Sequence, residues 1–173
     1  MSKEEVNNEF DVAARVQSAF VKATKTKVEN HEALNDSEIA LLCPVAMKTT
    51  MTNSEVNKLG LSEHYSFVPT INVVNDLRAL GFECVGAEQV KARKKTTNGY
   101  QKHMLTFENP KYKVEGAEEY PQLLLTNSHD GGNAFTLSAG IFRLICSNGL
   151  VIKTEDYGTS RLVHKGYSFE AVQ

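Results

Sequence analysis

Phe82-Glu-Cys-Val-Gly-Ala-Glu-Gln-Val-Lys-Ala-Arg-Lys-Lys-Thr-Thr-Asn-Gly-Tyr-Gln-Lys-His-Met-Leu-Thr-Phe-Glu-Asn109 is the stretch that decides the fold. Two extended runs, Phe82 to Lys95 and Tyr100 to Asn109, flank Thr96-Thr97-Asn98-Gly99. Asparagine and glycine both accept positive φ, so this reads as an antiparallel β-hairpin closed at Asn98-Gly99. Downstream, Lys111 to Tyr120 is charged and reads as a loop. Gln122 to Thr126 is a third strand whose unbroken Leu123-Leu124-Leu125 suits a central position. Ala134 to Leu137 reads as a fourth short strand. Ser138 to Ser147 reads as a helix stopped by Asn148-Gly149, and Leu150 to Lys153 is extended again.

Upstream, Ile71, Val74, Leu77 and Leu80 form a helical stripe, with Thr70 as the expected cap, Pro69 before it and Gly81 as the stop. Residues 4 to 28 read as a longer helix with Phe10, Ala13, Ala14, Gln17, Val21, Thr24 and Val28 on one face, packed on the domain edge or on another subunit. Asp36-Ser37 is expected to cap a short helix over Glu38 to Leu42 that Pro44 ends, and Ser54 to Leu59 adds a further turn before Gly60. The expected class is α+β: a mainly antiparallel sheet with a central hairpin and helices packed on one face. Residues 1–61 read as a mostly helical extension and 62–173 as the core domain.

The chain has 173 residues, 41% of them hydrophobic, and a formal net charge of -2. A sequence pI of 6.2 argues against a generic DNA-coating domain, whose pI is usually above about 9, but not against a local basic track. Cys43, Cys84 and Cys146 are far apart and form no C-x-x-C pair, so they suggest buried free thiols rather than zinc ligands or a disulfide framework. Met1 to Phe10 has no apolar signal region, so a cytoplasmic protein without membrane contact is expected. No cofactor is implied. Gly131-Gly132 lacks the lysine and spacing of a phosphate-binding loop, which argues against a nucleotide-driven motor or kinase.

Lys91, Arg93, Lys94, Lys95, Lys102 and His103 crowd the hairpin, and no acid occurs from Lys91 through Gln101. Strand alternation would put Lys91, Arg93 and Lys95 on one face, with Tyr100 and Lys102 sharing a face on the second arm. Such a track suits phosphates, and Tyr100 suits base stacking. The plainer alternative is a solvated hairpin tip, where lysine blocks edge-to-edge pairing. Asn127-Ser128-His129-Asp130-Gly131-Gly132 concentrates polar groups at a strand end. His129 and Asp130 could join His103 and His164 as a metal or acid–base site. No metal spacing is present, and a tight turn held by local hydrogen bonds explains the same residues. Arg143 interrupts an apolar run, and Cys146 has no adjacent base that would make it a nucleophile.

Six ordered segments carry a family resemblance: Ser62 to Ile71, Leu77 to Phe82, Gln101 to Leu105, Leu125 to Gly131, Leu137 to Leu150, and Val163-His-Lys-Gly166. Together they resemble the phage- and plasmid-borne family catalogued as domain of unknown function 932, from Ser62 onward. Members typically continue beyond the segment matching Val163 to Gly166, which implies a short member or a truncated chain here. The resemblance implies no settled activity. The order of elements is also similar, at fold level, to the core of phage single-strand annealing proteins. The leading expectation is a mobile-element protein that binds single-stranded DNA without catalysis, as an annealing or replication accessory and as a homo-oligomer. The alternatives are a counter-defence protein that binds a host protein, and a metal-dependent hydrolase.

Overall fold

Five strands form one sheet in the order of the sequence, each antiparallel to the next. They are β1 (Glu83–Gln89), β2 (His103–Glu108), β3 (Gln122–Asn127), β4 (Phe135–Cys146) and β5 (Leu150–Leu162). The computed structural model describes residues 3–92, 94–113, 119–146 and 150–162. The described helices are α1 (Lys3–Glu29), α2 (Asp36–Leu42), α3 (Asn53–Lys58) and α4 (Thr70–Ala79). The expected α+β class and the central position of the third strand are both observed.

The helix expected over Ser138 to Ser147 is not there: residues through Cys146 continue β4, and Ser147 lies outside the described residues. Gly140 would cost such a helix about 1 kcal/mol, while Ile141 and Ile145 favour a strand. The decisive partner is β5. Cys146 pairs with Leu150 and Leu144 with Val151, across Asn148-Gly149. The dipeptide read as a helix stop, Asn148-Gly149, lies outside the described residues.

The first hairpin exists, but its tip is wider than expected. The ladder from Glu83↔Glu108 to Gln89↔His103 ends with the Val90 N–H on the Lys102 carbonyl at 3.0 Å. β1 ends at Gln89 and β2 begins at His103, and the described residues of this wide connection contain a 3-10 turn, Lys95–Thr97. Asn98 (φ -67, ψ 124) and Gly99 (φ 90) are the central pair of a type II turn closed by the Tyr100 N–H on the Thr97 carbonyl at 3.1 Å. Only Gly99 needs the left-handed region.

One face of the sheet makes the core. Cys84, Ala87, Leu105, Phe107, Leu125 and Phe135 pack against Ile71, Val73, Val74 and Leu77 of α4, and against Leu34, Ile39, Cys43 and Ala46. Burial pushes the Cys43 and Cys84 thiols up to about 12. The caps differ from expectation by a residue or two. Asn35 caps α2 in a reciprocal box with Glu38, and Thr52 does the same for α3 with Glu55. Each such cap is worth about 1 kcal/mol. Pro44 opens a 3-10 turn after α2. Pro69, not Thr70, holds the cap position of α4, because the Thr70 hydroxyl is used elsewhere.

Candidate nucleic-acid interface

The wide connection after β1 is pinned at Tyr100. Its hydroxyl donates to Glu55 Oε1 at 2.5 Å, Lys48 Nζ donates to the same oxygen at 2.7 Å, and the ammonium lies 4.9 Å from the Tyr100 ring centroid. Lys48 and then the Thr52 N–H hold the Glu55 carboxyl well below its usual range, and the bond to Glu55 pushes the Tyr100 phenol up to about 12. From the other side, the His129 N–H donates to the Tyr100 carbonyl at 2.8 Å. A residue expected to stack on bases thus works as an anchor, with its hydroxyl and one ring face engaged.

Beyond this anchor, Lys91, Lys94, Lys95 and Lys102 are exposed, and Arg93 lies outside the described residues. The strand alternation expected for Lys91 to Lys95 does not apply, since β1 ends at Gln89. His103 does not join this surface. It is 1% exposed, so a phosphate could not reach its ring without opening the fold. Its Nδ1–H donates to the Gln101 carbonyl at 3.0 Å, which leaves Nε2 to accept from the Thr70 hydroxyl at 2.6 Å. Asn127 Nδ2 donates to Thr70 Oγ1 at 3.0 Å and to the Val68 carbonyl at 3.2 Å. Burial lowers the His103 pKa. This neutral network fastens α4 to β2 and β3.

The polar turn after β3 is built from local bonds. The Ser128 N–H donates to Asn127 Oδ1 at 2.8 Å, the Gly132 N–H to Asp130 Oδ1 at 2.9 Å, and the Asn133 N–H to Ser128 Oγ at 3.0 Å. Gly131 sits at φ 75, a conformation that favours glycine, and a Cβ there would have to displace a Leu61 methyl. The His129 ring is buried, 4.7 Å from Phe67 and 5.0 Å from His103 between centroids. Among the described residues no group of three or more His, Cys, Asp or Glu side chains is placed to hold a metal ion. His164 lies outside the described residues, and so does the side chain of Arg143.

This turn forms one wall of a cleft of about 590 Å³. Lys102 comes from the basic connection and Arg161 from β5, whose register places it opposite Thr136 of β4. Ser62, His64, Tyr65 and Gly131 to Asn133 complete the walls. The described lining holds two full cations and no carboxylate. A second depression, of about 710 Å³, lies under the C-terminal end of α1 and differs in chemistry. Glu29, Glu88 and Glu119 line it alongside Lys25 and His31, over Met104 and Leu124. Sequence reasoning finds Lys102 but misses Arg161. Only the pairing of β4 with β5 brings that residue to Thr136, and the sequence pattern shows no β5 past Lys153.

The comparisons with known proteins point to one family. The model of a family described as domain of unknown function (DUF932) matches residues 60–173. The chain is 36% identical over 113 residues to UPF0380 protein YfjQ of Escherichia coli (strain K12), covering 65% of this chain and 40% of that one. UPF0380 protein YafZ of the same organism gives the same identity and coverage. The chain therefore spans less than half the length of these relatives. No solved structure matches.

Proposed function

The chain belongs to the family described as domain of unknown function (DUF932), and from that premise we propose that it binds single-stranded DNA as a non-catalytic accessory of a mobile element. One observation carries the reading: Lys102 of the basic connection and Arg161 of β5 line the same carboxylate-free cleft. A backbone phosphate seated between them would be met by a cation from each wall. Lys91, Lys94 and Lys95, all exposed on the adjoining connection, would track the neighbouring phosphates. The depression under α1 does not suit a polyanion, because three carboxylates line it. Likeness to annealing proteins enters only as fold-level analogy. Among the described residues no helix is long and apolar enough to cross a membrane.

The test is anisotropy of a labelled single strand titrated with the full chain at several salt concentrations. Lys102→Glu and Arg161→Glu should each weaken binding. Each should also flatten the plot of log affinity against log salt, by about 0.7 for every phosphate no longer neutralised. Binding that is absent from the parent at low salt, or unchanged in both variants, overturns the proposal. Co-purification of one defined host protein with a parent that binds no DNA would favour the counter-defence alternative.

A further inference from the structure

Among its described side chains, helix α1 is anchored to the domain near its C-terminal end. Thr24 is fully buried and donates its hydroxyl to the Phe20 carbonyl at 2.9 Å, Val28 packs on the core, and Lys27 pairs with Glu38 at 2.8 Å. Every residue from Val12 to Ala19 is exposed, with Val12 at 55% and Val16 at 64%. A helical stretch without tertiary packing is marginal in water, because helices in proteins draw their stability from a buried face. Val12, Val16, Ala19 and Ala23 recur at steps of four, three and four, the spacing of a two-helix seam. That stripe points away from the face carrying Thr24 and Val28.

The charges along α1 say what covers the stripe. Before Val12 the helix carries Glu4, Glu5, Glu9 and Asp11 against Lys3 alone. After Val16 it carries Lys22, Lys25 and Lys27 against Glu29 alone. We propose that α1 pairs antiparallel with α1 of a second copy of this chain, the two helices crossing at Val16. In that register Asp11 lies within about one residue's rise of the level of the partner's Lys22, and Glu9 lies between the levels of the partner's Lys22 and the partner's Lys25. Each acidic half then faces a basic half, twice over by symmetry. Parallel pairing would set acid against acid and base against base, so the charge order selects the antiparallel form. The two domains sit at opposite ends of the helix pair. This pairing does not depend on DNA binding.

The test measures the mass of the full chain by light scattering across micromolar concentrations. One variant makes the N-terminal half basic (Glu5→Lys, Glu9→Lys, Asp11→Lys), and another makes the C-terminal half acidic (Lys22→Glu, Lys25→Glu). The parent should run at the dimer's mass. Each variant alone should fall to half that mass, and an equal mixture should return to the dimer's mass. Val16→Glu should stay at the monomer's mass in every mixture. Thermal melting of each variant checks that the sheet is intact. A parent at the monomer's mass, a dimer that survives Val16→Glu, or a mixture of folded variants that stays monomeric overturns the proposal.

Discussion

The two ends of β2 bury ionisable groups in opposite ways. At one end His103 is surrounded by a hydroxyl, a carbonyl and an aromatic neighbour, and burial favours its neutral form. At the other end Glu108 is 0% exposed and is met by charge. His31 Nδ1 and Gln122 Nε2 each lie 2.6 Å from Oε1, and Lys113 Nζ pairs with Oε2 at 2.9 Å. Glu108 in turn raises the Lys113 pKa. The contrast teaches how one strand can tolerate both groups. A buried imidazole discards its charge and needs only neutral partners, whereas a buried carboxylate needs cations brought in from other segments. Its partners come from the turn after α1, from β3 and from the loop after β2, so Glu108 ties three other parts of the chain to β2.

The strongest way to break the contrast is to strand the carboxylate. His31→Ala with Lys113→Ala leaves Glu108 buried without its Lys113 ammonium and its His31 hydrogen-bond partner and should cost about 3 kcal/mol, the low end for such a loss because both partners are partly in solvent. Urea unfolding measures it. Adding Glu108→Gln should recover most of the loss, and no recovery would mean that charge was not the cause. At the other end, Thr70→Ala removes the donor to His103 and an acceptor for Asn127, both buried, and should cost about 1–3 kcal/mol. Thr70→Ser keeps the hydroxyl and should stay near the parent. A serine variant as weak as the alanine one would assign the effect to packing instead.

Acid should separate the two ends as well. The folded His103 pKa lies below its ordinary 6.5. The stability linked to it is therefore complete above that value and is lost as pH falls from there through the folded pKa, by up to about 1.4 kcal/mol per pH unit. The urea midpoint should drop over that window in the parent and drop less in His103→Phe. Equal drops would remove His103 as the cause. The smallest effect is expected in the turn after β3. Asp130→Ala frees a Gly132 N–H that water can reach, so the loss should stay below about 1 kcal/mol. A larger loss, or an activity that vanishes in the folded variant, would give that carboxylate another role.

Legibility in the sequence follows locality. The long first helix, the α4 stripe and the first three strands are visible because their signals lie within single segments. Ser138 to Cys146 misleads because a short apolar run fits a buried helix as well as a strand, and its partner begins beyond Asn148-Gly149. The lysines of the connection are visible as charge, but their faces are not, since a wide loop breaks alternation. The buried state of His103 depends on Thr70 and Asn127, which belong to other elements. Arg161 gains its place beside Lys102 only through inter-strand register.

The strand order has a kinetic consequence. Each strand pairs with the one made just before it, with no crossover. Each closure joins strands adjacent in sequence, so the entropy lost before each pairing is rewarded stays small, and such chains fold fast for a sheet. During synthesis each new strand from β2 to β5 meets a finished edge as soon as it leaves the ribosome, so the edge that is open at one moment is covered by the next strand to emerge.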